Sequence, residues 1–232
     1  MATQAQAYVP IQGVEYSIIP EVSLRGKNLF EVQLYAQDNG LVVLPSTDVN
    51  RVAKAVQRDK PNGDFIRYAR DHTDLNEKDV NDAYRQLHDG IWQRYRVRAR
   101  EILMWVPSSP TMHPRLVSDK SPASEVVSVL LKDYKVVGRD KLDIRGISPD
   151  PRFRVNWPTS YQKITKELSQ LLGAPDNTDV WTYPNTQDYE GLRALYWDFR
   201  GRERPVLYSL GGPWLRFSDW GSLLGRGPQT KQ

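Results

Sequence analysis

The sequence predicts an α+β fold of mixed antiparallel strands, one long central helix, several shorter helices and extended termini. Three features carry that prediction. Runs of β-branched and aromatic residues lie between turn signals, as half-buried strands require. Other stretches repeat apolar residues at i, i+3, i+4 and i+7, the spacing of one helix face. Both ends are polar or rich in glycine and proline, with no sustained apolar period.

Residues 1–13 read as an extended arm ending at Pro10 and Gly13. Val14–Ile19, Leu29–Tyr35 and Leu41–Leu44 read as strands. Asn39-Gly40 between the last two matches a type I′ turn, which needs positive φ at both central positions, so a hairpin is expected over 29–44. After Pro45, Ser46 or Thr47 is placed to cap a helix whose Val49, Val52, Ala53 and Val56 share one face. Pro61-Asn62-Gly63 ends it, and a short helix spans Phe65 to Arg70. Asn76 with Asp79 forms a capping-box pattern using the shorter acid, and Val80, Tyr84, Leu87 and Ile91 follow at helical spacing.

The stretch Arg94-Tyr95-Arg96-Val97-Arg98-Ala99-Arg100 has two readings. As a strand it places Arg94, Arg96, Arg98 and Arg100 on one face, a basic stripe about 20 Å long at ~3.3 Å per residue. As a helix it continues the core face through Ile91, Tyr95, Ala99 and Ile102, with the arginines on two flanks. The apolar phase from Val80 to Val106 is interrupted only at Gly90. The helix is therefore the favoured reading, kinked at that glycine.

Prolines at 107, 110, 114 and 122 forbid regular structure over 107–122. This loop separates an N-terminal part, 14–106, from a C-terminal part, 123–210, which the sequence also allows to form a single domain. Val126–Leu131 and Tyr134–Val137 read as strands, with a helix over Ser124–Lys132 as the alternative for the first. Residues 146–158 form an irregular connection. Thr159-Ser160-Tyr161-Gln162 opens a helix carrying Tyr161, Ile164, Leu168, Leu171 and Leu172 on one face, stopping at Gly173. Ala194–Phe199 and Val206–Leu210 flank a charged tip and predict a hairpin over 194–210. Residues 211–232 read as a tail anchored by Trp214, Phe217 and Trp220.

Composition narrows the function. The chain has 232 residues, enough to bury a sizeable core, and no cysteine, which excludes disulfides, thiolate metal sites and cysteine nucleophiles. No run approaches the ~20 apolar residues of a membrane span, and the first residues lack the basic and apolar regions of a signal peptide. A cytoplasmic or virion location is expected. The net charge of +4 is mild, so any basic surface must be local.

The local basic pieces pair arginine with aromatics. They are Arg94, Arg96, Arg98 and Arg100 with Trp92 and Tyr95, Arg152 and Arg154 near Trp157, and the hairpin tip Arg200, Arg202 and Arg204. Guanidinium groups beside stacking surfaces suit phosphate contact. The same residues are enriched at protein interfaces. Plain surface charge is the reading that weighs most, with Asp198 and Glu203 placed to neutralise the tip.

A catalytic set is not apparent. The three histidines, His72, His88 and His113, show no H-E-x-x-H spacing, and no phosphate-binding glycine loop, dinucleotide fingerprint or nucleophile elbow occurs. Asp71-His72-Thr73-Asp74 is the nearest approach to an acid–base or metal cluster, and a helix-terminal loop is the better explanation of it. The expectation is a non-enzymatic structural subunit of a larger multi-protein assembly, most concretely a connector, tail or capsid-associated component of a virus or phage particle. It would act without cofactor or metal, in a homo- or hetero-oligomer with other protein subunits. A nucleic-acid-binding protein is the alternative, and a metal-dependent hydrolase using Asp71, His72 and Asp74 the remote one.

Overall fold

A computed structural model describes residues 8–57, 63–107, 126–131, 134–138, 141–143, 154–155, 162–163, 166–175, 178–182, 192–201, 205–209 and 212–227. Their order is β1 (Ser17–Ile18), α1 (Leu29–Asp38), β2 (Val42–Val43), α2 (Ser46–Ala55), α3 (Gly63–Asp71) and α4 (Glu77–His88). A π-helical turn (Asp89–Arg94), β3 (Arg96–Pro107), β4 (Val126–Leu131), β5 (Lys135–Gly138), β6 (Lys141–Asp143) and β7 (Arg154–Val155) follow. The chain then forms β8 (Gln162–Lys163), α5 (Lys166–Leu172), β9 (Asp179–Thr182), β10 (Leu192–Asp198), β11 (Val206–Ser209), β12 (Trp220–Ser222) and β13 (Leu224–Arg226). The class is α+β with largely antiparallel strands, as the sequence predicts.

An eight-stranded sheet runs β7-β4-β3-β10-β11-β9-β8, and β12 joins the N-terminal end of β3 in parallel. A three-stranded sheet, β1-β13-β2, and a β5–β6 pair complete the strands. The predicted hairpin over 194–210 is present, with Tyr196 opposite Tyr208 and Asp198 opposite Val206. Strands from before and after residues 107–122 pair directly, through β3 with β4 and β10.

Period-two alternation sorts the side chains of the central strands. Val97, Ala99, Leu103, Leu195, Trp197 and Leu207 enter the core built by α2, α3, α4 and α5, with Val49, Val52, Phe65, Tyr84, Leu87 and Leu168. Ile102, Ala194, Tyr196, Val206 and Tyr208 face the other way and pack with Leu29, Leu131 and Trp220. The sheet is thus buried on both sides at its centre.

Five expectations need correction. Residues 29–38 form a helix, where the sequence reading placed the first strand of a hairpin over 29–44. Asn28 supplies the reason: its side chain accepts from the Glu31 backbone N–H at 2.8 Å while the Glu31 carboxylate accepts from the Asn28 N–H at 2.9 Å. That capping box fixes a helix start, and Asn39-Gly40 serves as its end, with Gly40 at φ 63°. Positive φ is needed there as the turn signal implied, but for a helix terminus.

The long central helix is absent. α4 stops at His88, the chain widens into the π-helical turn, and Tyr95 is already extended at φ −125°, ψ 149°. Gly90 sits where an added Cβ would lie 3.0 Å from Val22 Cγ2, so its role is close approach and not a kink. β3 begins at Arg96, the strand reading of the arginine run. The two periods coincide here because Val97, Ala99, Ile102 and Leu103 are all buried, which fills both faces of a strand and mimics a helical stripe.

The helix predicted from Thr159 is shorter. Gln162 and Lys163 pair with β9, and α5 starts at Lys166; residues 159–161, 164 and 165 lie outside the described residues. It ends at Gly173 as expected, with φ 63°. Finally, the segment expected to be a tail contributes β12 and β13, with Leu223 and Leu224 fully buried. At α2 the expected Ser46 or Thr47 cap is replaced by Pro45, and the Ser46 N–H donates to the buried Glu101 carboxylate at 2.8 Å. Among the described residues no helix is long and apolar enough to cross a membrane.

Candidate binding face of the central sheet

β3 sets the arginines because its odd residues fill the helix-covered core. Arg96 and Arg98 project to the opposite face, beside Trp220 and Ser222 of β12 and across from Tyr196 of β10. Tyr208 continues that row on β11, and Trp181 continues it on β9. Cross-strand neighbours on one face are the contacts a sheet stabilises.

The result is a band of arginine and aromatic groups. The Arg96 guanidinium lies 5.1 Å from the centre of the Tyr208 ring, and Arg98 lies 5.4 Å from that of Tyr196. Rings of Trp181 and Tyr208 stack at 6.4 Å, while Tyr196–Trp220 and Phe217–Trp220 are each 3.8 Å apart. Trp220 is buried, whereas Trp181 and Phe217, at the two ends of the band, remain 42 % and 40 % exposed. Trp214 is partly buried.

Carboxylates neutralise part of this band. Asp198 accepts from Arg96 Nε at 3.1 Å and from Arg200 Nε at 2.9 Å and Nη2 at 3.0 Å. Asp219 lies 3.5 Å from Arg96 and 3.4 Å from Arg200. Burial opposes ionisation of Asp198, but the hydrogen bonds and charges of Arg200 and Arg96 outweigh it and hold the carboxyl below its ordinary value. The Asp198 hydrogen bond in turn raises Arg200. This face therefore carries paired charges and stacked rings.

The other predicted positions separate. Arg98 is fully buried, donates from Nη2 to the Lys27 carbonyl at 2.7 Å, and makes no ion pair among the described residues. Arg100 donates its backbone N–H to Leu44 and accepts from the Tyr134 hydroxyl at its carbonyl. Arg94 is 63 % exposed near Asp89. Trp92 and Tyr95 leave the band: the Trp92 indole N–H donates to the Ala53 carbonyl at 3.0 Å, and Tyr95 is engaged by Arg25. Arg152, Arg202 and Arg204 lie outside the described residues, and so does the side chain of Arg154 on β7. The four arginines do not form one basic stripe.

Asp71, His72 and Asp74 lie at the exposed end of α3. The His72 ring stacks on Tyr68 at 4.1 Å and its Nδ1 lies 2.8 Å from the Tyr68 carbonyl. Among the described residues no group of three or more metal-ligating side chains is assembled. Sequence reasoning missed Tyr196, Tyr208 and Trp181. Their signal was the period-two pairing of β10, β11 and β9, which puts one aromatic per strand on the same face.

No known protein family, curated protein or solved structure matches the chain.

Proposed function

We propose that the chain is a non-enzymatic structural subunit of a larger multi-protein assembly, docking on a partner subunit through the arginine–aromatic face. A virus or phage particle is the most concrete setting. The observation that carries this reading is the exposure of Trp181 and Phe217 at opposite ends of one supported band of rings, with Arg96 between them. Tryptophan, tyrosine and arginine dominate the energetics of protein interfaces, and rings held by stacked neighbours lose little freedom on docking.

Pairing of Arg96 and Arg200 with Asp198 and Asp219 weighs against nucleic acid as the occupant, because that charge is already spent internally. The test is native mass measurement of the chain with its natural neighbours, before and after Trp181→Ala with Phe217→Ala. Release of the double variant as a folded monomer is the expected result. A wild-type chain that stays monomeric beside those neighbours overturns the reading. Tight, steeply salt-dependent binding of single-stranded oligonucleotides would instead favour the nucleic-acid alternative.

A further inference from the structure

A second concave surface lies on the opposite side of the chain's chemistry, where α2, the π-helical turn, the end of α5 and the bases of β10 and β11 meet. It encloses about 510 Å³, within the range of roughly 300–1,000 Å³ typical of small-molecule sites. Its walls are the partly buried ring of Trp92, backed by the buried Phe199 with ring centres 5.3 Å apart, together with Pro175 and Pro205. The polar rim is supplied by Lys54 and Gln57 of the α2 terminus.

The cleft is preformed. Asn50 bridges the Ser46 carbonyl at 3.0 Å and the Leu172 carbonyl at 3.1 Å, tying α2 to the end of α5. Gly173 adopts φ 63° against Thr47, which brings the α5 terminus close. Trp92 is held by its bond to the Ala53 carbonyl, so its N–H is spent and its ring is what a ligand meets. The π-helical turn that presents Trp92 is a rare element concentrated at functional sites.

The charge of the rim selects the ligand. Lys54 makes no ion pair among the described residues, and no acidic side chain is among the described residues lining the cleft. A neighbouring hollow of about 360 Å³ shares Lys54 and Gln57; its Arg51 is occupied by Asp48 at 2.9 Å, and the one acid among its described residues, Asp64, is paired with Arg67 at 2.7 Å. An exposed ammonium with no ion pair among the described residues, beside an aromatic wall, fits a flat ring bearing an anion. We propose that this cleft binds a small planar aromatic compound with one anionic group, its ring on Trp92 and its anion at Lys54.

The test is a ¹⁵N NMR titration of the full chain with indole-3-acetate and, separately, with tryptamine, which carries a cation in place of the anion. The acid should shift the Trp92 indole N–H and the Gly173 and Ala174 amides, and bind at least about tenfold more tightly than the amine. Lys54→Gln, at an exposed position, should reduce that preference to within about threefold. Ala174→Phe should fill the cleft and abolish both sets of shifts. Absence of shifts at millimolar acid, equal binding of the amine, or a preference that survives Lys54→Gln would each overturn the proposal. None of these variants touches the arginine–aromatic face, so this outcome and that of the docking experiment are read independently.

Discussion

Asp198→Asn offers the sharpest measure of how the arginine–aromatic face is held. The carboxylate side chain is only 5 % exposed and takes three side-chain hydrogen bonds from two arginines, plus the Arg200 backbone N–H at 3.2 Å. Removing one member of a buried charged pair costs about 3–5 kcal/mol, because the survivor is left uncompensated. Here Arg96 and Arg200 keep 27 % and 25 % exposure and retain Asp219, so water and that second acid recover part of the loss. A destabilisation of about 2–3 kcal/mol is expected, or roughly 5–10 °C in Tm at this chain length. Urea unfolding and calorimetry at pH 7 measure it. The pH dependence has a definite sign. Since the folded carboxyl is held below its ordinary value, its contribution is fully present above the unfolded value, about 3.9, and is lost as pH falls through the folded one. The gap between wild type and variant should therefore be constant near neutrality and close only in acid. Asp219→Asn, at a 41 % exposed position, should cost under about 1 kcal/mol. An Asp198→Asn loss below about 0.5 kcal/mol, or a gap that widens in acid, refutes the reasoning.

Other substitutions probe the scaffold. Asn28→Ala removes the side-chain half of the capping box, leaving the backbone N–H at 28 to donate to Glu31, and should cost about 1 kcal/mol by urea unfolding. Gly173→Val meets a positive φ and places its Cβ 3.1 Å from Thr47 Cα, so a loss of about 2 kcal/mol or more is expected, with smaller loss for Gly173→Ala. Trp197→Phe keeps the buried ring but deletes the indole bond to Ser46 Oγ at 2.7 Å, which should cost about 1–2 kcal/mol. Circular dichroism melting curves distinguish these effects from loss of fold.

The sequence was legible where a local signal had one structural meaning. Asn76, with its side chain on the Asp79 N–H at 2.9 Å, began a helix as expected. The alternating residues of β10 and β11 paired as expected. It misled where two structures share a signal. Asn39-Gly40 supplies positive φ equally to a hairpin and to a helix end, and only the Asn28–Glu31 box upstream separates them. β3 is a strand buried on both faces, so its apolar positions fit helical spacing as well. The candidate face was half legible for the same reason. The arginine alternation was visible, but the partners Tyr196, Asp198, Tyr208 and Asp219 come from strands and turns more than 90 residues downstream, and pairing across that distance leaves no local trace.

On this face arginine serves as a flat, polar group packed against rings as well as a charge. Arg98 makes the point most strongly, since it is fully buried against a carbonyl and a tyrosine ring, with no ion pair among the described residues. A desolvated cation over an aromatic ring recovers about 2 kcal/mol or more, and a charged hydrogen bond about 1.5–3, against a burial penalty of several kcal/mol. Such a residue does not repay its own burial through stability, so its place is better explained by what it holds. It ties β3 to the backbone entering α1 and supports the Tyr196–Trp220 stack from below. That stack carries Phe217 at the surface. The same alternation that suggests a basic track thus builds a stiff underside for the exposed aromatic band, and rings held this way would lose little freedom in the docking proposed above.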